Sequence, residues 1–427
     1  MKALLLTALV LGIASQPAIA AAASGSVTHL DGVTIVSQPD PSSSLAGVEF
    51  AIPAGLDRQQ LDENGLAALV AESILKTPVD GVPLDEAVEA QGGSVHFMIE
   101  PTGVRFYCQA LASDAQRVLA TFTHALAAPD FSASTLSAAR DVLVARIGTQ
   151  EQQPLTVAVQ MLDLAQSSGN NTGFPPLGTP ASLIQLTPAD ASSFYRAFYR
   201  RNGSSISAVG RVDALGSLEP YAATLPSGTS EIVKTDVKAI KAESHELLTR
   251  RDISAPWLVV QYGAPELGSS DYGPMLVLAA FLKHTLGDIA ELPGTVTPTP
   301  VSEAVGAVYD YDAAPASLVL YVDGGIGEPD RTFETALSVV SLLSTSKLEG
   351  SVDEFKRIAA SDYAIEASPL EARARLAGMF ARRTGSADYL DATLRAIEAT
   401  TPQDVQRVAR RYLGKATIAL VLPQSQN

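Results

Sequence analysis

Histidine occurs at His29, His96, His124, His245 and His284, and no two of these stand three or four residues apart. Two imidazoles at i and i+4 share a helix face and can grip a zinc ion, and no such pair exists here. His96 lies in the strand-like run Val95-His96-Phe97, where a lone histidine reads first as a hydrogen-bonded structural residue. Glu72 sits in an apolar run and reads as a solvated or cavity-facing helix glutamate. A divalent ion held by Glu72 with other carboxylates is the second reading. Cys108, the only cysteine, lies in Phe106-Tyr107-Cys108-Gln109-Ala110-Leu111 and reads as a small buried hydrophobe; no intrachain disulfide can form. No Gly-x-Ser-x-Gly elbow and no Gly-x-x-x-x-Gly-Lys phosphate loop is present. The pairs Arg250-Arg251, Arg382-Arg383 and Arg410-Arg411 read as solvated helix or strand ends, and Phe194, Tyr195, Phe198 and Tyr199 as core at i, i+4 spacing.

The elements that would position any such chemistry begin with Asn64 to Leu75. Leu66, Leu69, Val70 and Ile74 follow the spacing of a helix with one buried stripe. Asp62 and Asn64 supply candidate N-cap oxygens, and Pro78 lies beyond the last turn. Ahead of this helix the run Gly47 to Ile52 reads as a strand, followed by Pro53-Ala54-Gly55. After it come a helix at Leu84 to Ala90 and a strand pair around Val95 to Phe97 and Gly103 to Tyr107.

This order resembles the opening of the pitrilysin/insulinase-type peptidases, the inverted zincins, a group that includes mitochondrial processing peptidase and the core proteins of the cytochrome bc-type complex. The resemblance is most specific over Gly55 to Leu111 and extends by pattern over nearly the whole chain after its first residues. In active members the helix carries His-x-x-Glu-His, two zinc ligands and the glutamate that polarises the metal-bound water. The matching positions here are Ala68, Leu69, Val70, Ala71 and Glu72. The third zinc ligand of the family, a glutamate on a later helix, aligns within Val142 to Glu151. Its nearest equivalents are Ala145 or Arg146, and Glu151 requires a shift of more than a turn. The family's substrate-holding arginine and tyrosine, seven residues apart, would fall within Glu291 to Tyr309. Tyr309 could match the tyrosine, but Ser302 stands seven residues earlier and the region has no arginine. Its prolines 293, 298 and 300 make it a loop. The resemblance therefore implies a degenerate zinc peptidase with no catalytic, metal or cofactor-binding residues and no cofactor.

The chain has 427 residues, 46% of them hydrophobic, which allows a large core and two or three domains. With 46 acidic against 30 basic residues the formal charge is -16, scattered along the sequence. That balance argues against a nucleic acid or an anionic membrane as partner. Lys2, the apolar run Ala3 to Ala14 and the small-x-small triplet Ala18-Ile19-Ala20 read as a signal peptide over residues 1–20. The run is too short to span a membrane. The expected location is an exported, soluble, bacterial periplasmic one.

Further along, Val27 to Val36 reads as a strand. Helices are expected at Ala115 to Ala127 and Ser132 to Ile147, then a turn-rich stretch over Ser167 to Pro180. Leu186-Thr187-Pro188-Ala189-Asp190 opens a helix that leads to the strand Ser205 to Gly210. Thr401-Pro402-Gln403-Asp404 and the strand Ala416 to Leu422 repeat that ending about two hundred residues later. The second half also opens like the first, with strand Trp257 to Tyr262, Gly263-Ala264-Pro265 and helix Tyr272 to Leu286. Strands Ala307 to Asp312 and Ser317 to Val322 and helices Thr332 to Leu343 and Val352 to Ala367 follow. The fold class expected is α+β: two homologous halves, each a mixed, largely antiparallel sheet covered by helices, with domains at 21–225 and 226–427. By resemblance the chain is a catalytically inactive subunit that pairs with an active zinc peptidase homologue, or with itself, to bind or degrade peptides. A structural or peptide-binding protein without any proteolytic partner is the alternative.

Overall fold

The computed structural model describes residues 25–167, 171–228, 246–253, 255–290, 305–313, 315–323, 338 and 352–424. The signal peptide, the prolines 293 to 300, Ser302 and, but for residue 338, the helix expected at 332–343 lie outside them.

The first half builds a six-stranded sheet from β1 (Ser26–Leu30), β2 (Val33–Pro39), β3 (Leu45–Ile52), β6 (Gly93–Ile99), β7 (Val104–Leu111) and β8 (Ser205–Gly210). The two-residue strands β4 (Pro78–Val79) and β5 (Val82–Pro83) form a separate hairpin. Sheet order is β1-β2-β8-β3-β7-β6. The second half builds β11-β12-β10-β13-β9 from β9 (Glu246–Arg251), β10 (Trp257–Gly263), β11 (Val305–Asp310), β12 (Ser317–Asp323) and β13 (Thr417–Pro423). Without β1 the two orders are the same. In each, only the pairing of the first strand with the last (β2 with β8, β9 with β13) is parallel. The other ladders are antiparallel. A parallel pair needs a long crossover, and here the crossover is most of a half. The repeat seen at the helix–strand endings is thus a repeat of whole topology.

Val27 to Val36 is a hairpin rather than one strand. Asp31 (φ 47°) and Gly32 (φ 86°) make the two-residue turn that an Asp-Gly pair favours.

The helices of the first half are α1 (Leu66–Leu75), α2 (Leu84–Ala90), α3 (Ala115–Ala127), α4 (Ala133–Gln150), α5 (Pro154–Gln166), α6 (Pro180–Leu183), α7 (Pro188–Phe198) and α8 (Glu219–Ala222). The second half contributes α9 (Tyr272–Ala290), α10 (Val352–Glu366), α11 (Leu370–Thr384), α12 (Tyr389–Glu398) and α13 (Pro402–Tyr412). Thr187 and Thr401 form capping boxes with Asp190 and Asp404, and proline follows each threonine, so the two matching starts have one local cause.

Two helices cross between the halves. From the first, α5 lays Val157, Ala158 and Leu162 on Val259, Val319, Ala419 and Val421 of the second sheet. From the second, α11 lays Leu370 and Ala374 on Tyr107 and Val209 of the first. Gly378 lets α11 approach closely, since a Cβ there would lie 2.2 Å from Ser207 Oγ. Polar ties run along the same seam: Arg373 Nη1 donates to Asp40 Oδ2 at 2.9 Å and Arg382 Nη1 to Ser205 Oγ at 2.6 Å. Arg382 is the exposed helix end its sequence implies, and it also fastens the halves. Arg411 is likewise an exposed helix end, and it also donates to the fully buried carboxylate of Asp271 at 3.1 Å.

Candidate functional site

All ten residues of α1 are buried. The apolar stripe of Leu66, Leu69, Val70 and Ile74 goes into the core of the first half, each side chain contributing about 1.5–3 kcal/mol. The helix start differs from the expected one. Its N-cap is Gly65 at φ 91°, with no side-chain cap, and Asp62 and Asn64 do not serve. Gln59 Oε1 instead accepts from the Ala67 N–H at 2.9 Å, satisfying a donor that the helix leaves open. A side chain at Gly65 would meet Leu183 Cδ2 at 2.9 Å and Gly178 Cα at 3.0 Å, so the helix entrance is packed against the loop before α6.

Ala68 and Ala71 present methyl groups to fully buried surroundings. Glu72 is 3% exposed. Its Oε2 lies 3.5 Å from Arg146 Nη1 of α4 and its Oε1 lies 3.9 Å from Lys76 Nζ. Burial pushes the Glu72 carboxyl up from its ordinary range, and Lys76 and Arg146 pull it part of the way back. The Arg146 guanidinium stacks 4.9 Å from the centre of the Phe97 ring, and Lys76 also binds Asp85. Of the two positions matched to the third ligand, Arg146 faces α1 and Ala145 faces solvent; Glu151 is the exposed C-cap that follows α4. A zinc ion does not fit these side chains. At the ligand positions Ala68 carries no donor atom, the Glu72 carboxylate already has two cations beside it, and a guanidinium stands in the third place. Among the described residues no group of three or more His, Cys, Asp or Glu is placed to hold a metal.

His96 projects from β6, its Nε2 2.8 Å from Glu371 Oε1 on α11 and its ring 5.6 Å from that of Tyr107. It ties the halves, in keeping with a structural reading. Tyr309 is 7% exposed and donates to the Pro265 carbonyl, packed against Tyr272 and Tyr311, so it belongs to the core of the second half. Cys108 is 3% exposed and burial drives its thiol up to about 12. Phe194, Tyr195, Phe198 and Tyr199 are core, and Tyr195 Oη donates to the Leu126 carbonyl at 2.6 Å.

A cavity of about 670 Å³ opens between the halves. The β6–β7 hairpin, α5, the second sheet and the start of α11 all line it. Its charged groups are Glu100, Asp163, Asp310, Asp312 and Glu371 against Arg105 and Arg375, an acidic excess. Arg105 Nη1 donates to the buried Glu49 Oε2 at 3.1 Å, and Arg375 Nη1 to Asp312 Oδ2 at 2.6 Å. Asp163 faces the water of the cavity yet is crowded by protein, and burial pushes its carboxyl up to about 6 while Gln261 Nε2 donates to it at 3.4 Å. Burial likewise raises Asp310. Sequence reasoning named none of these cavity residues, because they come together only through the exchange of α5 and α11.

Over residues 34–179 the chain matches the model of the insulinase family, Peptidase family M16. Its fold is similar to that of the peptidase M16 inactive domain from Pseudomonas fluorescens, at TM-score 0.78 and 16% identity over 94% of this chain and 98% of that one. It is equally similar to a protease from Helicobacter pylori, at TM-score 0.78 and 13% identity over 94% of this chain and 100% of the other. A chain of complex III2 from Candida albicans aligns at TM-score 0.74 and 18% identity over 93% of this chain and 95% of that one. Comparison with the curated proteins gives no match.

Proposed function

We propose that this chain is a non-catalytic subunit of the insulinase type that confines peptides between its halves and works beside an active, zinc-bearing homologue. The observation that carries the reading is the α1–α4 corner, where Ala68, Ala71 and the ion-paired Glu72 stand in place of the two imidazoles and the carboxylate. Without those groups the α1–α4 corner lacks the side chains that would hold a metal ion and polarise a hydrolytic water. The cavity of about 670 Å³ is of the size that ligand sites have, and its acidic lining suits a peptide with basic side chains. Likeness to a domain described as inactive supports the same reading.

Export belongs to this proposal: cleavage after Ala20 would release a periplasmic chain. So does division at 225/226, supported by β8 ending at Gly210 and β9 starting at Glu246. The likeness to a chain of complex III2 favours a second reading, a scaffold subunit without proteolytic work. Peptide cleavage by the purified, metal-analysed chain, alone and mixed with a homologue carrying the full His-x-x-Glu-His, decides between them. We expect no cleavage by the chain alone and a rate above that of the homologue alone in the mixture. Cleavage by the isolated chain would refute the reading, and a mixture no faster than the homologue would leave the scaffold.

A further inference from the structure

The two halves tie their first helix to their long helix at corresponding points. In the first half Glu72 of α1 meets Arg146 of α4 at 3.5 Å, and in the second Lys283 of α9 meets Asp362 of α10 at 3.0 Å. Arg146 and Asp362 each stand four residues before the last residue of their helix and eight before the first residue of the next, α5 in one case and α11 in the other. The correspondence comes from the shared topology, and the charges at it are reversed.

Burial separates the two pairs. The side chains of Lys283 and Asp362 are 55% and 41% exposed, so water screens that pair and it contributes little. The Glu72 side chain is 4% exposed, while Arg146 beside it is 41% exposed and Lys76 15%, so the contrast lies in the carboxylate alone. A carboxylate so placed needs a counter-charge or must take up a proton. Lys76 is farther from it than Arg146 and is engaged by Asp85 as well. Arg146 is held on its other side by the face of Phe97, so the guanidinium is fixed between an aromatic ring and the buried carboxylate. A planar, permanently charged group suits that slot.

We propose that Arg146 is a resident counter-ion whose guanidinium closes the α1–α4 corner on Glu72, so that the corner folds without a divalent cation and takes none up. The inference concerns this corner alone and stands apart from any peptide or partner subunit.

The test is a double-mutant cycle of Glu72→Gln and Arg146→Met in the full chain, read by thermal unfolding with and without zinc chloride. Each single variant is expected to lower the midpoint by about 2–4 °C. The double variant is expected to be no less stable than the worse single one, because both substitutions remove the same interaction. Zinc is expected to leave the wild-type midpoint unchanged. Additive losses would overturn the proposal. So would a zinc-dependent rise of the wild-type midpoint that Glu72→Gln abolishes. If Arg146→Met gives no folded protein, Arg146→Lys, which keeps the charge, is compared with Arg146→Gln, which does not. Equal midpoints for those two would also overturn it.

Discussion

Leu162→Ala tests whether the exchanged helices make the two halves one cooperative body. Leu162 belongs to the first half by sequence, yet it is fully buried against Val259, Val319, Ala419 and Val421 of the second sheet. Truncation there removes three carbons from a packed interface between a helix and a sheet that cannot easily collapse. The cost expected for a buried leucine is about 2–5 kcal/mol. For a single cooperative body of both halves, roughly 400 residues at about 2.1 cal/mol/K each, that is a fall of about 2–6 °C in the melting midpoint. Hydrogen exchange locates the loss. Amides of β10, β12 and β13 should lose protection, although the substitution lies outside residues 246–424. If instead the change stayed within residues 25–228 and the second sheet kept its protection, the claim that α5 supports it would be wrong.

Three further expectations follow from single contacts. Gly378→Val should loosen α11 from the first sheet and cost about 1–3 kcal/mol in urea unfolding, because even a Cβ there meets Ser207 Oγ at 2.2 Å. Asp163, raised to about 6 by burial, is above its ordinary 3.8 in the folded chain, so the folded state holds the proton more tightly than the unfolded one. Its contribution to stability is therefore greatest at low pH and declines as pH rises from about 4 to about 6; Asp163→Asn should flatten that part of a stability–pH profile, and an unchanged profile would contradict the assignment. Cys108 should resist thiol reagents in the native chain and react once urea unfolds it, because the buried thiol, raised to about 12, yields almost no thiolate. Rapid native labelling would show that β7 opens far more readily than its packing implies.

Legibility along the chain followed the range of the forces involved. The helix at Leu66 to Leu75, the helix at Ala115 to Ala127 and the strand at Ser205 to Gly210 could be read directly, the helices from their apolar spacing and the strand from a short apolar run bounded by turn residues. The Asp31-Gly32 hairpin was legible in principle, and the dipeptide was the available signal. The helices α5 and α11 were not identified from the sequence. The buried positions of α11 include Ala374 and Gly378 among several arginines, a pattern that makes sense only against the sheet of the other half. Likewise, nothing local distinguishes Arg382, which binds Ser205, from an arginine in water.

By itself the sequence determined that the α1 helix would keep its apolar face while carrying Ala68, Ala71 and Glu72, because side-chain identity and helical period are local properties. It also determined the doubled plan, because capping threonines and strand alternation recur along the chain. Tertiary structure alone decided that Arg146 faces Glu72 while Ala145 faces solvent, that His96 meets Glu371, and that five carboxyl groups surround one cavity. Those outcomes depend on which surfaces each half buries against the other, and that burial is a sum over contacts distant in sequence, for which no short stretch carries a code.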